Sequence, residues 1–178
     1  MKIKIFTTGG TIDKVYFDKK STYEVGPPYI GHLLTELNVN FDYSLETLFR
    51  KDSLDITEED RAHLREKIIA DPNRRILITH GTDTMTDTGK WLAGIKDKVI
   101  VLTGAMEPAK FKTSDAVFNI GCAIAAVQAL PTGVYIAMNG RIHSPFHVVK
   151  NGDTGKFEEI SGTSGADHPF MHGEKETE

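Results

Sequence analysis

Three short stretches of this chain set glycine beside groups that can do chemistry. They are Thr8-Gly9-Gly10-Thr11, His80-Gly81-Thr82-Asp83-Thr84 and Gly104-Ala105-Met106. Glycine lets the backbone approach a ligand closely, and a threonine hydroxyl can attack a carbonyl or hydrogen-bond its oxygen. The same residues also build ordinary tight turns and helix caps, so each stretch alone carries a purely structural reading beside the chemical one.

Other tempting motifs exclude themselves. Gly81 to Lys90 ends in Gly-Lys, but the glycines are too far apart for a phosphate-binding loop, and Trp91 stands where Ser or Thr is required. Thr7 to Ile12 lacks the Gly-x-Gly-x-x-Gly fingerprint of dinucleotide sites. His143 and His147 are four apart, but Pro145 between them opposes a shared helical face. His168 and His172 sit in a polar C-terminal stretch. Glu58-Glu59-Asp60 reads as the acidic first turn of a helix rather than as a ligand set. No metal or cofactor is expected.

The elements that must hold the three glycine stretches alternate in type. Lys2 to Thr7 is a short β-branched strand that breaks at Gly9-Gly10. Pro27-Pro28 opens a helix running through Leu37, with Ile30, Leu33, Leu34 and Leu37 at helical spacing. Asn40 to Leu48 is a candidate second strand. Thr57 reads as an N-cap with Asp60 three residues on; its helix should present Leu64, Ile68 and Ile69 to the core and stop before Pro72. Arg75–Thr79, Val99–Thr103 and Gly133–Met138 are short strands rich in Ile, Val and Leu. Helical segments are expected around Met85–Ile95 and Thr113–Leu130.

Continuous apolar strands separated by helices imply a parallel sheet covered on both faces, hence a doubly wound, mostly parallel α/β domain. In such a sheet ligands bind beyond the carboxyl ends of the strands. The three glycine stretches all fall there.

The 178 residues are enough for one domain with its own core. A net charge of −4, with basic residues only in scattered pairs such as Lys19-Lys20 and Arg74-Arg75, argues against a nucleic-acid partner. The single Cys122, in an apolar run, is expected to be a small buried hydrophobe and gives no sign of an oxidising compartment. No apolar run reaches transmembrane length, so no membrane partner is expected and cytoplasm is the expected location. Residues 1–150 are expected to form the domain, with 151–178 a loosely held polar tail.

Taken together, Thr7-Thr8-Gly9-Gly10-Thr11-Ile12 and His80-Gly81-Thr82-Asp83-Thr84-Met85 closely resemble the two signature motifs of bacterial-type L-asparaginases. Gly104-Ala105-Met106 followed by Ser114-Asp115 and Asn119 is also similar to that family, and the likeness runs over about residues 1–150. The resemblance implies hydrolysis of L-asparagine to aspartate and ammonia through a threonine acyl-enzyme. It implies Thr11 as nucleophile, Tyr23 as the residue assisting it, and Thr82, Asp83 and Lys150 as a second triad. Ser53, with Gly10 and Gly81, would bind substrate, Ser53 holding the α-carboxylate.

A threonine hydroxyl is a weak nucleophile and needs a base. Tyr23 could relay the proton of Thr11, and Lys150 that of Thr82. Backbone N–H groups near Gly10 and Thr82 could stabilise the oxyanion.

Two departures from the family stand out. Members usually carry a second, smaller domain, so a single-domain chain is expected to complete its site as a homo-oligomer. Leu54 stands where many periplasmic members have a Gln on the substrate's amino group, a bond leucine cannot make. The competing reading is a non-catalytic module of the same fold that binds a small amino acid; an amidotransferase component is a third.

Overall fold

The computed structural model describes residues 1–17 and 22–160 of the chain. In chain order the strands are β1 (Lys2–Gly9), β2 (Lys14–Phe17), β3 (Thr22–Val25), β4 (Asp42–Lys51), β5 (Arg75–Thr79), β6 (Val99–Thr103), β7 (Gly133–Met138), β8 (Arg141–His143), β9 (Val148–Lys150) and β10 (Phe157–Glu159). The α-helices are α1 (Tyr29–Glu36), α2 (Glu58–Ala70), α3 (Met85–Trp91) and α4 (Ala116–Ala129), and single 3-10 turns cover Thr11–Asp13 and Ser53–Asp55.

Six strands form one sheet in the order β4-β1-β5-β6-β7-β8, parallel throughout except for the β7–β8 pair. The doubly wound, mostly parallel layer expected from the strand pattern is therefore present. From β1 the chain moves outward to β4, then returns to β5 on the other side of β1. The winding reverses between β1 and β5, and the crevice beyond their carboxyl ends is where such folds hold ligands.

Alternation along each strand sorts the core into two layers. Ile3, Ile5, Leu77, Val101 and Ala137 face α1 and α4, meeting Ile30, Leu33, Leu34, Ile120, Ala123 and Val127. Phe6, Ile76, Ile78, Ile100, Leu102 and Ile136 face the opposite way, against Leu64 and Ile68 of α2 and Met85 and Leu92 on and just after α3. Covered on both sides, the central strands must be apolar continuously rather than alternately. Burying each such side chain contributes about 1.5–3 kcal/mol, and truncating Ile78 to alanine would cost about 2–5 kcal/mol with its cavity.

Helix α2 begins as the sequence indicated. Thr57 Oγ1 accepts from Asp60 N at 3.2 Å and Asp60 Oδ2 accepts from Thr57 N at 2.9 Å, a reciprocal capping box. Its inner stripe is Arg61, Leu64 and Ile68, while Ile69 is 56% exposed rather than buried. Ile69 lies about 100° around the helix from Ile68, so only one of the two aligns with Leu64. Helix α3 is shorter than expected, because the chain after Trp91 continues as a turn that still buries Leu92 and Ile95. Cys122 is half-buried on α4.

Two antiparallel ribbons lie outside the main sheet: β2 pairs with β3, and β9 pairs with β10. Residues 151–160, expected by composition to begin a loose tail, instead turn back as the second strand of the β9–β10 ribbon. Phe157 is the cause, an apolar anchor that is only 4% exposed in an otherwise polar stretch. Residues 161–178, with His168 and His172, lie outside the described residues, as does Lys19-Lys20. Among the described residues no helix is long and apolar enough to cross a membrane.

Candidate active site

The carboxyl ends of β1 and β5 meet because two glycines allow it. Gly10 has φ 90°, and a Cβ there would lie 2.3 Å from the Cα of Gly81. A Cβ on Gly81 would in turn lie 2.6 Å from both Cβ and Oγ of Ser53. Any side chain at either position would push the β1 turn, the β5 turn and the Ser53 turn apart. Gly10, Gly81 and Ser53, three of the residues expected at the substrate, are thus packed in line.

Ser53 is buried, and its Oγ finds no hydrogen-bond partner among the described residues. Its carbonyl accepts from Thr84 Oγ1 at 2.8 Å, which ties the Ser53 turn to the β5 loop. A buried hydroxyl left unpaired beside a glycine-lined approach suits a site whose ligand supplies the missing partner. Leu54, next along, is 72% exposed.

Lys150 reaches the β5 loop from β9. Its Nζ donates to Thr82 Oγ1 at 2.9 Å and to Asp83 Oδ1 at 2.5 Å. The Lys150 side chain is largely buried, at 18% exposure, against 44% for Asp83. The structure brings Thr82, Asp83 and Lys150 together across 67 to 68 residues of chain. The hydroxyl, amine and carboxylate form a continuous path along which a proton can move.

A chain of asparagines delivers Lys150. Asn119, fully buried on α4, donates from Nδ2 to the Gly104 carbonyl at 3.0 Å and to Asp115 Oδ2 at 2.8 Å. Asn119 Oδ1 accepts from Asn139 N at 3.1 Å, and Asn139 Oδ1 accepts from Phe157 N at 3.0 Å. Asn139 takes a left-handed φ of 53°, a conformation asparagine tolerates better than most residues. The Asp115 carboxylate also receives Met106 N and Glu107 N at 2.9 and 3.2 Å, holding the Gly104-Ala105-Met106 turn. These bonds tie β6, β7 and the β9–β10 ribbon into one frame.

Beneath the β5 loop sits His80, fully buried. Burial holds its imidazole well below the ordinary range, at about 4, helped by the charge of Arg61 and opposed by its bond to Gly81. Nδ1 lies 2.7 Å from the Gly81 carbonyl, which can only accept, so the proton is on Nδ1. Nε2 then accepts from Thr88 Oγ1 at 2.8 Å, and Thr88 Oγ1 accepts from Arg61 Nε at 3.2 Å. A neutral histidine in one tautomer thus braces the turn that presents Thr82. The sequence placed His80 in the loop but assigned it no such part.

Thr11 opens the 3-10 turn after Gly10 and is half-buried. Ile12 O accepts from Ala109 N at 3.0 Å, and Asp13 O accepts from Gly26 N at 2.8 Å. Tyr23, on β3, is 51% exposed, with its ring edge-on to Phe111 at 6.4 Å between centroids. Gly10 N itself donates to Lys51 O at 2.9 Å.

Sequence reasoning also passed over Asp13. Its side chain is buried, Oδ1 accepts from Tyr29 N at 2.9 Å, and Oδ2 has no partner among the described residues. Burial pushes its carboxyl up to about 6, against the lowering effect of the Tyr29 bond and of the Arg50 charge. An acid directly after Ile12, in the turn of a signature motif, was the available signal. Among the described residues no group of three or more His, Cys, Asp or Glu is placed to hold a metal ion.

Residues 2–162 match the family model for the N-terminal domain of asparaginases. L-asparaginase 2 of Bacillus subtilis is 31% identical over 176 residues, covering 89% of this chain and 47% of that protein. The thermostable L-asparaginase of Thermococcus kodakarensis superimposes with a TM-score of 0.75 at 26% identity, covering 90% of this chain and 51% of that one. A probable cytoplasmic L-asparaginase from Campylobacter jejuni gives 0.70 at 34% identity, covering 84% and 48%. The chain thus spans about half the length of the relatives it matches. With the family model spanning residues 2–162 and both glycine motifs lying within that span, the chain belongs to the asparaginase family.

Proposed function

We propose that the protein hydrolyses L-asparagine to L-aspartate and ammonia through a threonine acyl-enzyme. The observation that carries this reading is Lys150 Nζ at 2.9 Å from Thr82 Oγ1 and 2.5 Å from Asp83 Oδ1, beyond the switch point of the sheet. The asparaginase names of the relatives point to the same amide.

Ser53 Oγ takes the substrate α-carboxylate, where its missing hydrogen-bond partner is then supplied. Thr11 Oγ attacks the side-chain carbonyl carbon, and as its proton passes to the Tyr23 phenol oxygen the phenol's own proton goes to the amide nitrogen. The C–N bond breaks, and the nitrogen leaves as ammonia with that proton. Water, activated through Thr82 and Lys150, then cleaves the ester and frees Thr11. The backbone N–H groups near Gly10 and Thr82, those of Thr11 and Thr82, are the oxyanion donors.

A homo-oligomer is part of this reading. The 14 residues of α4 include no charged side chain and leave Val117 and Phe118 at 46% and 60% exposure, a surface suited to a second copy. The location of the Campylobacter relative, described as probably cytoplasmic, is extended to this chain.

Ammonia release from L-asparagine by the purified protein tests the activity. Binding of asparagine without ammonia release would instead establish a non-catalytic amino-acid-binding module. Light scattering at assay concentration tests the assembly, and a fully active monomer would defeat it.

A further inference from the structure

We propose that Asp13 is a positioning residue for Thr11, its ionised carboxylate anchoring the nucleophile's turn to the start of α1. The proposal rests on the reading of Thr11 as the nucleophile. Thr11 and Asp13 share a single 3-10 turn, closed by Asp13 N on Gly10 O at 3.1 Å. On its leading side the turn is held by Gly10 packed on Gly81. On its trailing side, Asp13 Oδ1 receives the N–H of Tyr29, the first residue of α1. That helix begins at Pro28 without a side-chain cap of its own, so Asp13 supplies from another element the acceptor that its positive end lacks.

The anchor strengthens with charge. A hydrogen bond to a carboxylate is stronger than one to a neutral acid, and a helix N-terminus favours the anion further. Of the charged groups on the surrounding elements, Arg50 on β4 acts on Asp13 directly. Lys14, next in the chain, is bound to Asp52 at 2.7 Å, Lys51 to Asp60 at 2.6 Å, and His32 on α1 to Glu36 at 3.3 Å. Glu24 on β3 and Lys110 after Ala109 complete the set.

The same anion is expensive to keep. It is buried with Oδ2 unpartnered, and its carboxyl titrates near 6 rather than 3.8. An acid whose pKa rises on folding binds its proton more tightly in the folded chain. Stability therefore falls as pH rises from about 4 to 6 and stays lower above that. Activity should move the opposite way over the same interval. This opposition separates positioning from simple structural support, which would lower both together.

Asp13→Asn keeps an acceptor for Tyr29 N but stays neutral, so it imitates the protonated acid. The expected ratio of wild-type to Asp13→Asn kcat on L-asparagine is about one at pH 5 and about five- to tenfold at pH 8. At pH 8 the variant should also melt about 6–12 °C higher than wild type. Asp13→Ala, with no acceptor, should be slower than Asp13→Asn at both pH values.

A ratio that does not change with pH, a lower Tm for Asp13→Asn at pH 8, or equal rates for the Asn and Ala variants would each overturn the proposal. Thr11→Ala, assayed in parallel, separates the two ideas. If it is inactive while Asp13→Asn behaves as wild type, the anchor fails and the nucleophile stands. If Thr11→Ala turns over normally, or wild type releases no ammonia, the nucleophile reading falls and the proposal with it.

Discussion

The two threonine centres of this site stand on different foundations. Thr82 sits on a turn braced from beneath by His80, opposite a lysine delivered by a ribbon that is itself tied to α4 through Asn139 and Asn119. Thr11 sits on a turn whose partner tyrosine rides on the two-stranded β2–β3 ribbon, resting edge-on against Phe111. Lys150 is bonded directly to Thr82 and Asp83, whereas Tyr23 lies half-exposed on a ribbon outside the main sheet. Groups at sheet ends joined by buried polar bonds open only at a higher free energy than groups on a small outlying ribbon.

The sharpest way to break this contrast is to remove each threonine. Thr11→Ala and Thr82→Ala should each lower kcat at least about a hundredfold. Near-normal turnover in either would take that centre out of the mechanism. Lys150→Met should match Thr82→Ala within a few-fold, and the double variant should be little worse than either single one, because a unit lost once cannot be lost again. Additive losses would show that Lys150 and Thr82 act separately.

Packing tests come next. Gly81→Ala forces a Cβ to 2.6 Å from Ser53, so we expect a loss of about 1–3 kcal/mol of stability and a raised KM as the Ser53 turn is displaced. A variant with unchanged melting and KM would mean that the loops separate freely. On the other centre, Phe111→Ala removes the ring against which Tyr23 rests. It should slow kcat/KM by about three- to tenfold while leaving Tm nearly unchanged, the reverse of the Gly81 pattern. A fall in Tm without a kinetic effect would make Phe111 a packing residue only.

Acid stability offers a finer comparison, because His80 and Asp13 oppose each other. His80 is neutral in the fold, at about 4 against an ordinary 6.5. Its contribution is present above 6.5 and is lost as pH falls toward 4, on the order of 3 kcal/mol at most. Asp13 gains over nearly the same interval. Wild-type Tm should therefore change little between pH 6.5 and 4.5, while Asp13→Asn should fall steeply with acid. Parallel curves measured by calorimetry would refute that cancellation.

The smallest expected effect is at Leu54. Beside Ser53 and 72% exposed, it has room for a longer polar side chain. Leu54→Gln could add one bond to the substrate ammonium, improving KM by up to about tenfold with kcat little altered. An unchanged KM would mean that another group, Glu24 or Asp55 for example, already holds the ammonium.

Much of this molecule was legible in its sequence. The strands Arg75–Thr79, Val99–Thr103 and Gly133–Met138 appear with the bounds read from their apolar runs, because a strand covered on both faces must be apolar throughout. The cap at Thr57 depends on residues three apart and needs no tertiary partner. The glycine motifs carry their own constraint, since close approach of two turns admits no Cβ. What stayed hidden was non-local. Neither ribbon was foreseen, because strands of three or four residues are too short to show a periodic pattern, and β10 is fixed by the one buried apolar residue Phe157. The proton on His80 Nδ1 follows from the carbonyl of the adjoining Gly81 and the hydroxyl of Thr88 on α3, and the upward push on Asp13 follows from burial, against the lowering bond from Tyr29 of α1. Residue types and spacing determined which chemistry this chain could attempt. Only the tertiary structure decided which groups are dry, which are charged and which already touch, because desolvation and hydrogen bonding act through space and not along the chain.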